Sequence, residues 1–184
     1  MKRIIITLLL LVLTSTVCFA QKMLYFDGIS FDKTGWGSFQ THRKTTGIAD
    51  GSSSISGSKS IPYVGSFSIN IEKVKSDGSL SLLAFTENLQ EETINNAMES
   101  LNSGASKLKI EPKSNVEDTE INGIKAKYFD FKYKLGIGSA FQRTYCLEKD
   151  GYIITIMTTS GTWNIKTHNK YFSKILKSFR FDPE

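Results

Sequence analysis

The chain has 184 residues, with 23 Lys and Arg against 18 Asp and Glu and a formal net charge of +5. That length suits one domain with a real hydrophobic core. A surplus so small argues against a nucleic-acid binder, which needs clustered charge.

At the N-terminus, Lys2 and Arg3 precede an apolar run from Ile4 to Leu13 that only Thr7 interrupts. Ser15 and Thr16 loosen it, and Ala20 is a small residue at a plausible cleavage edge. This is the charged, apolar, small-residue order of a cleavable secretory signal peptide, and the run is too short to span a bilayer as a helix. A retained membrane anchor is disfavoured because polar residues begin directly after Ala20. Lipid attachment at Cys18 is disfavoured because Val17 is bulky where a small residue is needed. The sequence therefore predicts an exported protein, periplasmic or extracellular, with residues 1–20 removed and 21–184 forming a single domain. Without Lys2 and Arg3, 21 basic residues face 18 acidic ones, about +3, so the pI of 9.1 overstates how basic the working protein is. Cys146 is then the remaining cysteine, and stability must come from packing rather than an internal disulfide. With no His nearby in sequence, Cys146 reads as a small apolar strand residue rather than a reactive thiol. No second apolar segment is long enough to span a membrane.

The stretch Met23 to Phe31 reads as a strand, a turn at Asp27-Gly28 and a second strand. Asp32 to Gly35 makes another turn, followed by Trp36. Thr45 to Lys59 is rich in Gly and Ser, has little to bury, and is expected to be a flexible loop at about 45–60. Phe67, Ile69 and Ile71 alternate with Ser68 and Asn70, which marks a half-buried strand. Asp77-Gly78 turns the chain into a helix from about Ser81 to Leu101, with Asn88 and Glu91 resembling a capping box. Its early stripe (Leu82, Phe85, Leu89) is out of phase with its later one (Ile94, Ala97, Met98, Leu101), so residues 80–87 are helical or extended. Gly104 would stop it.

Leu108 and Ile110 sit in a short extended piece. Asn122-Gly123 signals a tight turn before a long strand, Lys125 to Leu135. A hairpin connection at Gly136-Ile-Gly138 leads to Phe141–Leu147, and Lys149-Asp150-Gly151 turns back into Tyr152–Thr159. Ile153, Ile154, Ile156 and Met157 make that last strand apolar on both sides, which places it mid-sheet. Phe172, Ile175, Leu176 and Phe179 mark an amphipathic helix with Thr167 as candidate N-cap. Strands, helix, three antiparallel strands and helix describe an α+β layer fold with helices over an antiparallel sheet.

Asn122-Gly123 before a long strand, the hairpin across Lys149-Asp150-Gly151, and the ending Tyr171 to Phe181 resemble the PsbP/DcrB-like superfamily. The opening Gly28 to Trp36 fits that superfamily's first hairpin. The resemblance implies an α/β/α sandwich around an antiparallel sheet, in small exported proteins that are not enzymes and act as extrinsic or partner-binding accessory subunits. The superfamily's metal-ligand and partner-contact residues find no match in this sequence, and its photosynthetic role does not transfer with a fold.

The chemistry-bearing residues are sparse. His42 and His168 are the imidazoles, without HxxxH or CxxC spacing, so no metal site and no cofactor is expected. No serine lies in a nucleophile elbow. Glu117, Asp118 and Glu120 lack the Gly-punctuated spacing of a calcium loop and read as a solvated turn. Gly136 and Gly138 lack the third spaced Gly of a phosphate loop. Trp36, Trp163, His168 and Tyr171 form the candidate partner-binding surface, alongside the basic and aromatic segment Lys166 to Arg180. The expectation is an exported, non-enzymatic accessory or binding protein of the bacterial cell envelope, acting on a protein or envelope partner. Binding of a small ligand, lipid or sugar, is the alternative. A hydrolase built from His42 with Glu117 or Asp118 is the third reading.

Overall fold

The computed structural model describes residues 23–43, 52–62, 64–102, 108–111, 114–135, 138–161 and 165–181. In chain order these form β1 (Met23–Phe26), β2 (Ile29–Asp32), β3 (Phe39–Arg43), β4 (Ser53–Ile61), β5 (Gly65–Lys75), α1 (Leu82–Asn102), β6 (Leu108–Ile110), β7 (Glu117–Ile121), β8 (Ile124–Leu135), β9 (Gly138–Lys149), β10 (Tyr152–Ser160), α2 (Ile165–Ser178) and β11 (Arg180–Phe181). Residues 1–20, with the expected signal peptide, lie outside the described residues.

The hairpin turns fall where the sequence puts them. At Asn122-Gly123 both φ angles are positive, 49° and 86°, as a type I′ turn requires and as Asn and Gly tolerate best. Asp27-Gly28 and Asp150-Gly151 repeat that geometry. The main antiparallel sheet runs β3-β4-β5-β10-β9-β8-β6, with β7 also pairing β8. The doubly apolar strand β10 lies between β5 and β9, so Ile156 faces Ile71 on one side and Tyr145 on the other. Its expected central place is confirmed.

Alternation along the strands gives the sheet two unlike faces. The first carries Ile55, Phe67, Ile69, Ile71, Ile154, Ile156 and Leu147, and it is covered by Phe172, Ile175 and Phe179 of α2 and its C-terminal end. A small second sheet, β1-β2-β11, adds Phe26, Ile29 and Phe31 to the same core. The Phe31 and Phe179 rings lie parallel with centroids 6.0 Å apart, joining β2 to the end of α2. On the second face α1 packs across β8 and β9. Phe129, Phe131, Thr144 and Cys146 are buried there with Thr86 and Gln90 of α1. The result is the expected α+β sandwich, with a helix on each face of an antiparallel sheet.

Lys73 ties the small sheet to the large one. Its buried ammonium donates to Asp27 O (2.9 Å) in the β1–β2 turn and stands 4.2 Å above the Tyr152 ring centroid. Ser53 also donates to the Asp27 carboxylate.

Several expectations are corrected. The Ser/Gly segment is not a loop throughout: Ser53–Ile61 is β4, paired with both β3 and β5, while residues 44–51 lie outside the described residues. The ladder on both sides satisfies a backbone that has few apolar side chains to offer. Ile55 and Gly57 face the core, and the Phe39 ring lies so close over Gly57 that an added methyl group would overlap it. The first helix is one continuous helix from Leu82. Its N-cap is Ser81, whose Oγ accepts from the Ala84 N–H (3.2 Å), so Asn88 and Glu91 sit inside the helix and form no capping box. Thr167 likewise lies within α2, which begins at Ile165, and so is not at the N-cap position. Gly104 lies outside the described residues.

Candidate functional site

Three regions hold chemically suggestive side chains. The first is a cluster on the core face of β8, β9 and β10. Asp130 and Arg143 are cross-strand partners, and the guanidinium donates to both carboxylate oxygens at 2.6 and 2.7 Å. It also stands 4.4 Å from the Tyr128 ring centroid. Although burial works against the charge, the bidentate Asp130 contact holds Arg143 more firmly protonated than usual. Tyr128 donates to Glu117, and that bond, aided by burial, pushes its hydroxyl up to about 12. Burial also raises Tyr145 above its ordinary value. Each of these shifts locks a group into its resting protonation state, the reverse of what proton transfer near neutral pH needs.

His168 belongs to the edge of this cluster, and here the sequence expectation is corrected. It is fully buried beneath α2 between the Phe141 and Phe172 rings, at centroid distances of 4.7 and 4.5 Å, so it cannot form part of a contact surface. Thr158 Oγ1 donates to Arg143 O (2.9 Å) and lies 3.0 Å from His168 Nε2. Its single proton is thus committed, and Nε2–H of a neutral imidazole donates to it. Burial keeps His168 below its ordinary range.

The second region is a groove on the open part of the other face. Beside the area covered by α1, the outward residues of β3, β4, β5 and β10 include Gln40, Ser56, Ser68, Asn70, Met157 and Thr159. They border a depression of about 330 Å³. Cross-strand register aligns Gln40, Ser56, Asn70 and Met157 in one row. The lining is uncharged and mostly hydroxyl or carboxamide. Nothing in the sequence signals this groove, because its β4 serines read as loop residues.

The third region is the outer side of α2. Its sequence contains no Asp or Glu, and Lys166, Lys170, Lys174 and Lys177 are exposed. At about 100° and 1.5 Å per residue, the four fall within an arc of about 80° and a length of about 17 Å. Lys174 pairs with Asp32 at 3.2 Å, and Arg180 continues the basic run just past the helix. Lys59 and Lys170 each stand 5.6 Å from the Tyr171 ring centroid. Tyr171 is half-buried against Phe67 (4.5 Å), and Trp36 is half-buried against Phe172 (5.3 Å). Trp36, His168 and Tyr171 are thus drawn together around α2, as inward-facing packing residues under a basic surface. Trp163 lies outside the described residues.

His42 and the acidic turn do not meet. His42 is on edge strand β3 and Glu117 and Asp118 are on β7, six strand spacings away, roughly 25 Å or more. Cys146 is buried, with its thiol raised to about 11 by burial. Among the described residues no three His, Cys, Asp or Glu side chains gather to hold a metal, and no helix is long and apolar enough to cross a membrane.

No family model and no curated protein matches the sequence. The fold is nonetheless shared with solved structures. The chain is similar to PsbP from the cyanobacterium Synechocystis at 14% identity and a TM-score of 0.58, over 87% of this chain and 92% of that one. It also aligns with PA94 of Pseudomonas aeruginosa, a protein of unknown function, at 10% identity and TM-score 0.46 over 88% and 97% of the two chains. A further match is LpqN of Mycobacterium tuberculosis, involved in cell envelope biogenesis, at 13% identity and TM-score 0.36 over 80% and 86%. The architecture is that of the PsbP/DcrB-like fold.

Proposed function

We propose that the chain is an exported single-domain, non-enzymatic binding protein of the cell envelope, released by cleavage near Ala20, which holds its partner through the outer face of α2. The observation that carries this reading is the lysine stripe Lys166 to Lys177, on a helix with no Asp or Glu of its own, where Asp32 of β2 pairs with Lys174 and the other side of the helix is locked into the core. One-signed charge along a rigid element steers and orients a partner of opposite sign. The settled protonation of the Arg143 cluster and the distance from His42 to Glu117 support binding over hydrolysis. In affinity capture from the host envelope, the exported protein is expected to retain a specific component that K170E/K177E loses. Recovery of the same component by the variant would sink this reading.

A second reading, binding of a small sugar, is favoured by the groove at Gln40, Ser56 and Asn70. Its amides and hydroxyls suit a neutral polyhydroxyl ligand. Titration with a panel of neutral oligosaccharides, followed by NMR, is expected to shift the amides of Gln40 and Asn70. Asn70→Ala then weakens affinity about three- to tenfold, the worth of one hydrogen bond. Shifts scattered over the surface, or none, would dismiss it.

A further inference from the structure

The composition of the α2 stripe says what kind of partner it meets. All four charges are lysines, compact ammonium groups on flexible stems, whereas arginine is the residue suited to a fixed bidentate contact. Lysine is depleted from protein–protein interfaces, because ordering its stem in one geometry costs rotamer entropy. The aromatic residues beside the stripe, Trp36 and Tyr171, are turned onto Phe172 and Phe67. They are therefore withdrawn from the anchoring role that aromatics take in protein interfaces. A row of exposed lysines, with Lys174 held by Asp32 at 3.2 Å and the aromatic neighbours facing inward, suits a diffuse, laterally mobile array of negative charge. It suits a single complementary protein pocket less well.

We infer that α2 rests the protein on an anionic bilayer surface, with its lysines among lipid phosphates. This inference depends on the reading that α2 is the contact face, and it names the partner. Arg180, exposed just after the helix and donating to Lys177 O (3.2 Å), lengthens the same basic row. Lys177 and Arg180 at the C-terminal end also oppose the negative end of the helix dipole, so the stripe stabilises the helix that displays it.

The test uses the protein purified from the exported fraction of its host, sedimented with vesicles of phosphatidylcholine alone or with one third phosphatidylglycerol. The difference between the two compositions is the readout, so any apolar attachment common to both cancels. The wild-type chain is expected to prefer the anionic vesicles and to be released by salt near 1 M, where the Debye length is about 3 Å. Each lysine near an anionic surface is worth roughly fivefold, so K170Q/K177Q should bind about 25-fold more weakly with an unchanged circular dichroism spectrum. Equal binding to both vesicle types, or full binding by K170Q/K177Q, overturns the inference. Should the vesicles fail while envelope capture still depends on Lys170 and Lys177, the partner is an acidic protein, and the contact-face reading survives without this one.

Discussion

Phe172→Ala is expected to destabilise the protein by about 3–5 kcal/mol, the usual cost of removing a buried phenyl ring from a close-packed core. Phe172 is fully buried in α2 and meets Trp36 at 5.3 Å, Phe67 at 6.1 Å and His168 at 4.5 Å between ring centroids. Those partners come from the segment after β2, from β5 and from α2 itself, so the cavity left by alanine cannot collapse onto one flexible neighbour. At the 2–4 °C per kcal/mol typical of this chain length, Tm should fall by roughly 10 °C. Lys177→Ala, on the exposed side of the same helix, is expected to stay within about 0.5 kcal/mol. Paired thermal or urea unfolding curves decide the matter. A loss below 1 kcal/mol for Phe172→Ala would mean that α2 is not docked as described, and the geometry of its lysine stripe would go with it.

That dependence of the contact face on one ring was half legible in the sequence. Phe172, Ile175 and Phe179 stand at helical spacing and announce an amphipathic helix. His168 lies four residues before Phe172 and belongs to the same stripe, which is the signal that could have placed it in the core. Imidazole polarity pulled the expectation to the surface, but Thr158 on β10 supplies the acceptor that makes burial tolerable, and a cross-element partner is invisible in a sequence. The three strands from Ile124 to Ser160 were legible because long apolar alternations and I′ turn residues agree with one another. β4 was not, although its Ile55, Gly57, Lys59 and Ile61 do alternate with serines. Serine and glycine have weak strand preference, and β4 exists because β3 and β5 pair with it on both sides. The groove on its outer face was hidden for the same reason. The third strand of the small sheet was hidden by distance along the chain, since β11 joins the foreseen β1–β2 hairpin through Arg180 and Ser30, 150 residues apart.

The Arg143–Asp130 pair shows how register turns two ordinary surface-type residues into a structural bond. Both lie on strands that the sequence predicts, but only the β8–β9 register puts them directly opposite. Their side chains retain 13% and 22% of their exposure, so the charges are largely desolvated and depend on each other. Arg143→Met keeps the length of the side chain and removes both hydrogen bonds, leaving the Asp130 carboxylate without its counter-charge. Breaking a fully buried pair in this way costs about 3–5 kcal/mol, and the residual solvent contact here lowers the expected loss to about 2–3 kcal/mol. Adding Asp130→Leu to Arg143→Met should recover most of it, because the cost lies in the orphaned charge more than in the missing attraction. A double-mutant cycle by urea unfolding measures both effects. If the single and double variants are equally unstable, the pair contributes through packing against Tyr128 and Phe141 rather than through charge. If instead Arg143→Met abolishes partner capture at unchanged stability, the cluster is itself a recognition site and the assignment of α2 as the contact face is wrong.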